Sequence, residues 1–269
     1  MQSSKENLSK EQRKRLKAQT KADKLSSQTQ DLAQNFKNPL TILCVRFGNL
    51  YGREYVERLR NMVSRNITIP YRFCCLTDDN HPIEGVDTIY QPNAGYRKGW
   101  WHKVHMFNPN LNISGRILYF DLDIIVHSNI DKLIVSYDKE FLGIRDFNRK
   151  FFPSWQYLNS SVMSWIHGSN SFIWHEYNKD VNSAQKLQGD QDWIWKIARP
   201  HIKFWPEDWI QSYKWETRSR SDLILVNGKR KFKTVNDNIK PDPRCCVSVF
   251  HGDPKPQDVQ DKFVVDNWL

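Results

Sequence analysis

From residue 38 onward the chain switches repeatedly between two periods of apolar placement. In NPLTILCVRFGN the segment from Thr41 to Arg46 is almost continuously apolar, as in a strand buried on both faces. REYVERLRNMVSRN then sets Tyr55, Leu59, Met62 and Val63 at helical spacing, and YRFCCLTDD reads as a second strand ending in polar residues. Strand, helix and strand within about 40 residues predict a parallel βαβ unit. GWWHKVHMF (99–107) has helical spacing through Trp100, Val104 and Phe107. Ile117 to Phe120 is a strong strand, followed at once by two aspartates. EFLGIRDF and NSSVMSWIHG predict further short strands, and VSVF the last one. GDQDWIWKIA predicts a helix opening on acidic residues, which suit its positive end. Residues 217–243 are polar and punctuated by Gly and Pro, a hairpin or loop excursion. The alternation predicts an α/β fold, a mostly parallel sheet flanked by helices.

The pattern is different before residue 38. Leu8, Leu16 and Leu25 are among the few large apolar residues there, too few for a packed helix face. Residues 1–37 therefore read as a solvated helical or disordered arm, and 38–269 as a single domain. The arm holds nine Lys or Arg against four Asp or Glu, half of the formal net charge of +10. Such a balance suits an anionic partner: nucleotide, phospholipid surface or nucleic acid. A nucleic-acid binder would interleave basic and aromatic residues on the folded body. Here much of the excess lies in the arm, so nucleic acid is disfavoured and an acidic surface is the arm's expected partner. No stretch of 18 apolar residues occurs and no apolar run follows the charged start, so a cytoplasmic protein is expected, with peripheral membrane association left open. The five cysteines are two adjacent pairs and a singleton, neither a disulfide framework nor a zinc set, and read as buried thiols. The 11 tryptophans suit stacking on sugar faces, with core packing as the plain alternative.

The chemistry concentrates in ILYFDLDIIV. Asp121 and Asp123 stand two apart where a strand leaves the core, so both can face one way. Like charges that close stay ionised together when a cation lies between them, and hard oxygen ligands favour Mg²⁺ or Mn²⁺. An exposed turn with two solvated aspartates is the plain alternative. About 130 residues later, VSVFHGDPKP ends another strand in His251, Gly252 and Lys255. Ligands gather at the carboxyl ends of strands in α/β sheets. His251 could complete an Asp, Asp, His set that leans toward Mn²⁺, and Lys255 supplies a point charge for phosphate. The alternative for His251 and Lys255 is a solvated turn.

YFDLDIIV and HGDPKP resemble the D-x-D and H-x-x-G-x-x-K-P elements of glycogenin-like retaining glycosyltransferases of the GT-A fold. WHKVHMF resembles that family's helix before the D-x-D strand, its lysine matched by Lys103. NSSVMSW resembles the N-[SA]-G-V strand, with Asn159 in place and Ser161 where glycine is usual. GDQDWIW resembles the D-Q helix start and gives Asp190 and Gln191. FGNLYG is similar to the uridine site and contributes Tyr51, beside Val45 and Phe47. The terminal loop is two residues shorter, with Gly252 directly after His251. These departures resemble a divergent branch found among bacteria and their viruses, and WIQSYKW (209–215), with Tyr213 and Lys214, fits that branch.

The resemblance implies a hexose transfer from a UDP-sugar, with retention, to an unspecified glycan, lipid or protein acceptor. It implies Asp121, Asp123 and His251 around Mn²⁺ or Mg²⁺, with Val45, Phe47, Tyr51, Lys103, Leu122, Gly252 and Lys255 also on the nucleotide. Asp190 and Gln191 would face the oxocarbenium-like state. Asn159, Trp155, Trp193, Tyr213 and Lys214 are candidates for donor sugar or acceptor; a packed loop is the plain alternative for the last two. The enzyme rival is a D-x-D phosphatase with a nucleophilic first aspartate. That motif usually lies near the N-terminus with Thr or Val two positions on, where Ile125 stands here.

Overall fold

In the computed structural model, which describes residues 9–93, 95, 98–137 and 140–269, the arm is a long helix, Lys10–Gln34 (α1). Ser9 caps it: its Oγ accepts from the Gln12 amide, and the Gln12 side chain accepts from the Ser9 amide, a reciprocal pair that satisfies free amides at a helix start. Leu16 and Leu32 are exposed. Ala33 is buried near the helix end. Residues 1–8, including Leu8, lie outside the described residues.

The expected βαβ unit is present. Leu40–Arg46 (β1) and Arg72–Thr77 (β2) pair in parallel, joined by Arg53–Arg65 (α2). The helix buries Tyr55, Val56, Leu59, Met62 and Val63. Each such burial stabilises by roughly 1.5–3 kcal/mol, more than the helix-propensity deficit of a valine or tyrosine. Asp87–Tyr90 (β3), Arg116–Phe120 (β4), Phe141–Arg145 (β6), Leu158–Ile166 (β7) and Ile202–Phe204 (β8) complete a sheet of order β3-β2-β1-β4-β7-β6-β8. β7 runs against its neighbours β4 and β6, and the other pairs are parallel. Alternate residues of β4 feed two cores. Leu118 and Phe120 join Ile42, Leu59 and Met62 on one side; Ile117 and Tyr119 join Trp101, Met163 and Trp165 on the other.

A second sheet of order β5-β12-β9 combines Ile124–Val126 (β5), Ile210–Ser212 (β9) and Val247–Val249 (β12). The chain thus leaves the large sheet at Phe120, passes through Asp121, Leu122 and Asp123, and enters the small sheet at Ile124. Both carboxylates sit on this crossing. The Asp121 amide donates to the Ser161 carbonyl (2.8 Å), and the Phe250 amide donates to the Asp123 carbonyl (3.1 Å). The polar excursion at 217–243 contains a hairpin of Leu223–Val226 (β10) and Lys229–Phe232 (β11). The remaining α-helices among the described residues are Asp131–Val135 (α3), Phe172–Lys179 (α4), Val181–Ala184 (α5), Asp190–Ala198 (α6) and Lys262–Asn267 (α7). No helix among the described residues is long and apolar enough to cross a membrane.

Residues Gly99–Phe107 form a 3₁₀ rather than an α-helix. Three residues per turn align Trp101, Val104 and Phe107 on the buried face, which turns Trp100 outward to 43% exposure.

Candidate active site

The side of Asp121 is built by three elements. Tyr119, two residues earlier on the same face of β4, donates its hydroxyl to Asp121 Oδ1 (2.5 Å). Lys103, delivered by the 3₁₀ helix, places Nζ 2.9 Å from Asp121 Oδ1 and 3.1 Å from Asp190 Oδ2 at the start of α6. It also donates to Ser160 Oγ on β7 (3.1 Å), and Ser160 Oγ donates to Asp190 Oδ2 (3.0 Å). Burial works against the Lys103 charge, but Asp121 and Asp190 outweigh it and raise its pKa above the ordinary value. Asp190 shifts upward because burial outweighs the help of Lys103. The Gln191 Oε1 accepts from the Ser160 amide (3.1 Å). Asn159, on the same strand, turns its Oδ1 onto the Ser161 amide (3.1 Å).

Asp123 meets different partners. Tyr51 donates its hydroxyl to Asp123 Oδ2 (3.1 Å), and the Lys255 ammonium binds the same oxygen. Burial raises the Asp123 pKa and Asp121 adds to the rise, with Lys255 opposing. The two aspartates, Val45, Phe47, Tyr51, Lys103 and Leu122 all line one cleft of about 480 Å³, with Trp100 and Leu50. The face of Phe47 is backed by His102, stacked at 3.8 Å and 4°. The cleft therefore joins an aromatic and aliphatic wall to an acidic floor, a shape that suits a flat base joined to an anion-bound cation.

The turn after β12 supplies His251, Gly252 and Lys255. Gly252 has φ +65°, and a Cβ there would come within 3.1 Å of Lys214 Nζ; glycine meets both demands. Lys214 Nζ donates to the Asp253 carbonyl (3.0 Å). The His251 ring stacks on Phe147 at 5.0 Å and meets Trp215 edge-on at 4.5 Å. Its Nε2 lies 2.7 Å from Ser212 Oγ. Ser212 Oγ also accepts from the Trp215 amide, which leaves its own proton for the imidazole. Burial, with Lys214 and Lys255 adding to it, lowers the His251 pKa to about 3, so the ring is neutral.

The expected convergence of His251 on both aspartates is not formed. Among the described residues no three His, Cys, Asp or Glu side chains gather closely enough to hold a metal ion. Each carboxylate is instead neutralised by a lysine, and His251 is engaged by Ser212. The donor chemistry nonetheless fits a hard divalent cation: two carboxylates open to one cleft, a neutral imidazole on the adjoining turn, and a cation already bound at Asp123 Oδ2 in the form of Lys255.

A second cleft of about 730 Å³ lies on the far side of Gln191, lined by Trp155, Tyr157, Trp195, Asp146, Asn148 and Asp192 among others. Trp155 stacks on Tyr157 (5.0 Å, 24°), and Tyr157 meets Trp195 at 5.2 Å. Two expected stacking residues are corrected here. Trp193 is 7% exposed and donates its indole N–H to the Ile173 carbonyl. Tyr213 is 1% exposed, stacks on Phe250 and gives its hydroxyl to Asp261. Both rings are core, with no face left for a sugar. Trp195, four residues beyond Gln191 on α6 and so on the same helix face, lines the second cleft instead. Tyr119 was legible the same way, as the same-face neighbour of Asp121. Ser160 and Ser212 carried no such signal, since each acts through contacts distant in sequence.

No known protein family matches the chain, and no curated protein sequence is similar to it. Solved structures are. The apo structure of WbbM, a bifunctional glycosyltransferase, superposes with a TM-score of 0.56 at 11% identity, over 87% of this chain and 50% of that one. The glycosyltransferase GlyE of Streptococcus pneumoniae TIGR4 gives a TM-score of 0.58 at 14% identity, over 86% of this chain and 62% of that one. Its apo form gives 0.55 at 13%, over 86% and 61%. The chain shares its fold with these proteins, and it spans half to about three-fifths of their length.

Proposed function

We propose that the protein is a metal-dependent glycosyltransferase that moves a hexose from a UDP-sugar to an acceptor, with retention of configuration. The observation that carries this reading is the charged line Asp121–Lys103–Asp190, which continues through Ser160 to Gln191 and joins the two clefts. One cleft has a slot for a base above two carboxylates, and the other has stacked aromatics. The similar structures are glycosyltransferases, which favours transfer over the phosphatase alternative. Asp121 is also held by Tyr119 and Lys103, which quiets it as a nucleophile.

Phe47, Val45 and Tyr51 bind and orient the base and ribose. Asp121 and Asp123, with His251, would hold the cation, which supplies a Lewis acid for the departing diphosphate. Lys255, displaced from Asp123, meets a phosphate oxygen. Asp190, fixed by Lys103 and Ser160, together with Gln191 presents oxygen to the cationic sugar. Trp155, Tyr157 and Trp195 offer faces to an acceptor sugar in the second cleft. The test is a screen of UDP-sugars for Mn²⁺-dependent hydrolysis, with the anomer of the first product read by NMR. Asp190→Asn should lower turnover by about 10²-fold or more. If no UDP-sugar is consumed, or if Asp123→Ala hydrolyses donor as well as the wild type, the reading fails.

A further inference from the structure

The β10–β11 hairpin carries an unusual pairing. Its first strand is apolar and exposed: Leu225 is 73% exposed, Val226 39% and Ile224 36%. Its second strand is basic, and the register sets Ile224 opposite Lys231, Leu225 opposite Arg230, and Val226 opposite Lys229. Exposed aliphatic residues on a marginal two-stranded ribbon are a liability in water.

Beneath the hairpin lies a pocket of about 320 Å³, walled by Leu223, Leu225 and Trp215 and by the cations Lys214, Arg220 and Arg230. Lys214 is 5% exposed, and its ammonium donates to the Asp253 carbonyl. Among the described residues none of these three cations forms an ion pair with a carboxylate. A buried ammonium beside two guanidinium groups is costly without an anion. Burial, then Arg230 and Lys255, lowers the Lys214 pKa to about 8, with the Asp253 charge opposing only in part. The same face continues through Arg220, which lies over both Phe151 (5.3 Å) and Trp215 (5.5 Å). Phe151 and Phe152 are 43% and 59% exposed.

We propose that this face seats the protein on an anionic phospholipid surface, with Ile224, Leu225 and Val226 entering the interface and a lipid phosphate bound by Lys214, Arg220 and Arg230 in the pocket beneath. Aliphatic and aromatic groups ringed by Lys and Arg match the two layers of such a surface, acyl boundary and charged headgroups. A purely polyanionic partner would leave the apolar strand unused, and a neutral apolar partner would leave the cations unmatched. The face adjoins the turn that carries Lys255, because Lys214 binds that turn at Asp253. An acceptor held at the membrane would thus be presented beside the candidate site, but the docking does not depend on the enzymatic reading.

The experiment is flotation of the full-length chain with phosphatidylglycerol-containing vesicles and with pure phosphatidylcholine vesicles, over a salt series. Binding is expected to the first only, falling as salt rises. Lys229→Gln/Lys231→Gln should lower partitioning about 30-fold, the value for two cations at such a surface. Leu225→Asp and Arg230→Gln should each reduce it further than a surface change elsewhere, and unchanged melting temperatures would show that the variants are folded. Equal binding to both vesicle types overturns the proposal. So does full binding by the hairpin variants, which would assign the attraction to α1, or a hairpin-dependent affinity for duplex DNA without vesicle binding.

Discussion

Replacing Lys103 with methionine removes one charge and leaves a side chain of similar length. Lys103 Nζ lies 2.9 Å from Asp121 and 3.1 Å from Asp190, and the residue is 9% exposed. Without the ammonium, Asp190 stays buried near Asp121 with no cation between them. Breaking a buried ion pair by removing one partner costs about 3–5 kcal/mol, less whatever is relieved when Asp190 takes a proton. For a chain of this size that is a fall of about 5–9 °C in melting temperature. Asp190→Asn in the same chain should restore about 1–3 kcal/mol, because it removes the orphaned charge and keeps an acceptor oxygen for the Ser160 hydroxyl. Lys103→Arg should not substitute for lysine, since a planar fork cannot meet three oxygens around one nitrogen. Urea midpoints followed by tryptophan fluorescence measure all three variants. A Lys103→Met protein within about 1 kcal/mol of wild type, or a double variant no more stable than the single, would refute the argument.

Lys255→Ala should lower UDP-sugar turnover by about 10²–10³-fold yet bind Mn²⁺ at least as tightly in the presence of UDP, because the ammonium that holds Asp123 Oδ2 is gone; normal turnover would make this lysine a mere surface charge. Acid should destabilise the fold between pH 6.5 and 5. Burial lowers His102, His105 and His127 each to about 4. Because the folded pKa lies below the unfolded one, their contribution is complete above pH 6.5 and is lost as pH falls toward 4. For His127 this is on the order of 2 kcal/mol by pH 5, and urea midpoints that do not move over that interval would contradict it.

The sequence pattern revealed what local periodicity encodes. β1, β2 and β4 are nearly continuous buried runs and α2 buries one face at helical spacing, so their identity and the position of Asp121 and Asp123 at a strand end could be read directly. β3, β8 and β9 could not, being three or four residues long and in the first two cases only partly buried. The 3₁₀ helix at 99–107 was misread as an α-helix because Trp100 and Trp101 are both apolar, and only packing against the sheet selects Trp101. That β5 and β12 belong to a separate sheet depends on a pairing across more than 120 residues, which no window contains. At the site, residue types were legible and pairings were not. Asp121, Asp123, Lys103 and Lys255 were each identified, but which lysine neutralises which aspartate is set by how two sheets meet. Composition marks the tryptophans of α6 without saying which face is wet, and only packing shows Trp193 buried and Trp195 on a cleft.

The crossing from the large sheet to the small one also sets the order in which the site comes into being. β1, β2 and β4 are made early, and Asp121 gains its backbone partner once Ser161 of β7 follows, while the chain is still being synthesised. The small sheet cannot form until β9 and β12 arrive, and Asp123 has no fixed backbone partner until Phe250 does. At about 5–20 residues per second, the stretch from Asp123 to Phe250 takes roughly 6–25 s to make. During that interval the nascent chain has the aromatic and aliphatic wall of the cleft but no finished acidic floor. Assembly of the second sheet therefore acts as a timer for the cleft: a chain interrupted before residue 247 would keep most of its core but lack the backbone partner of Asp123 and the turn that carries Lys255.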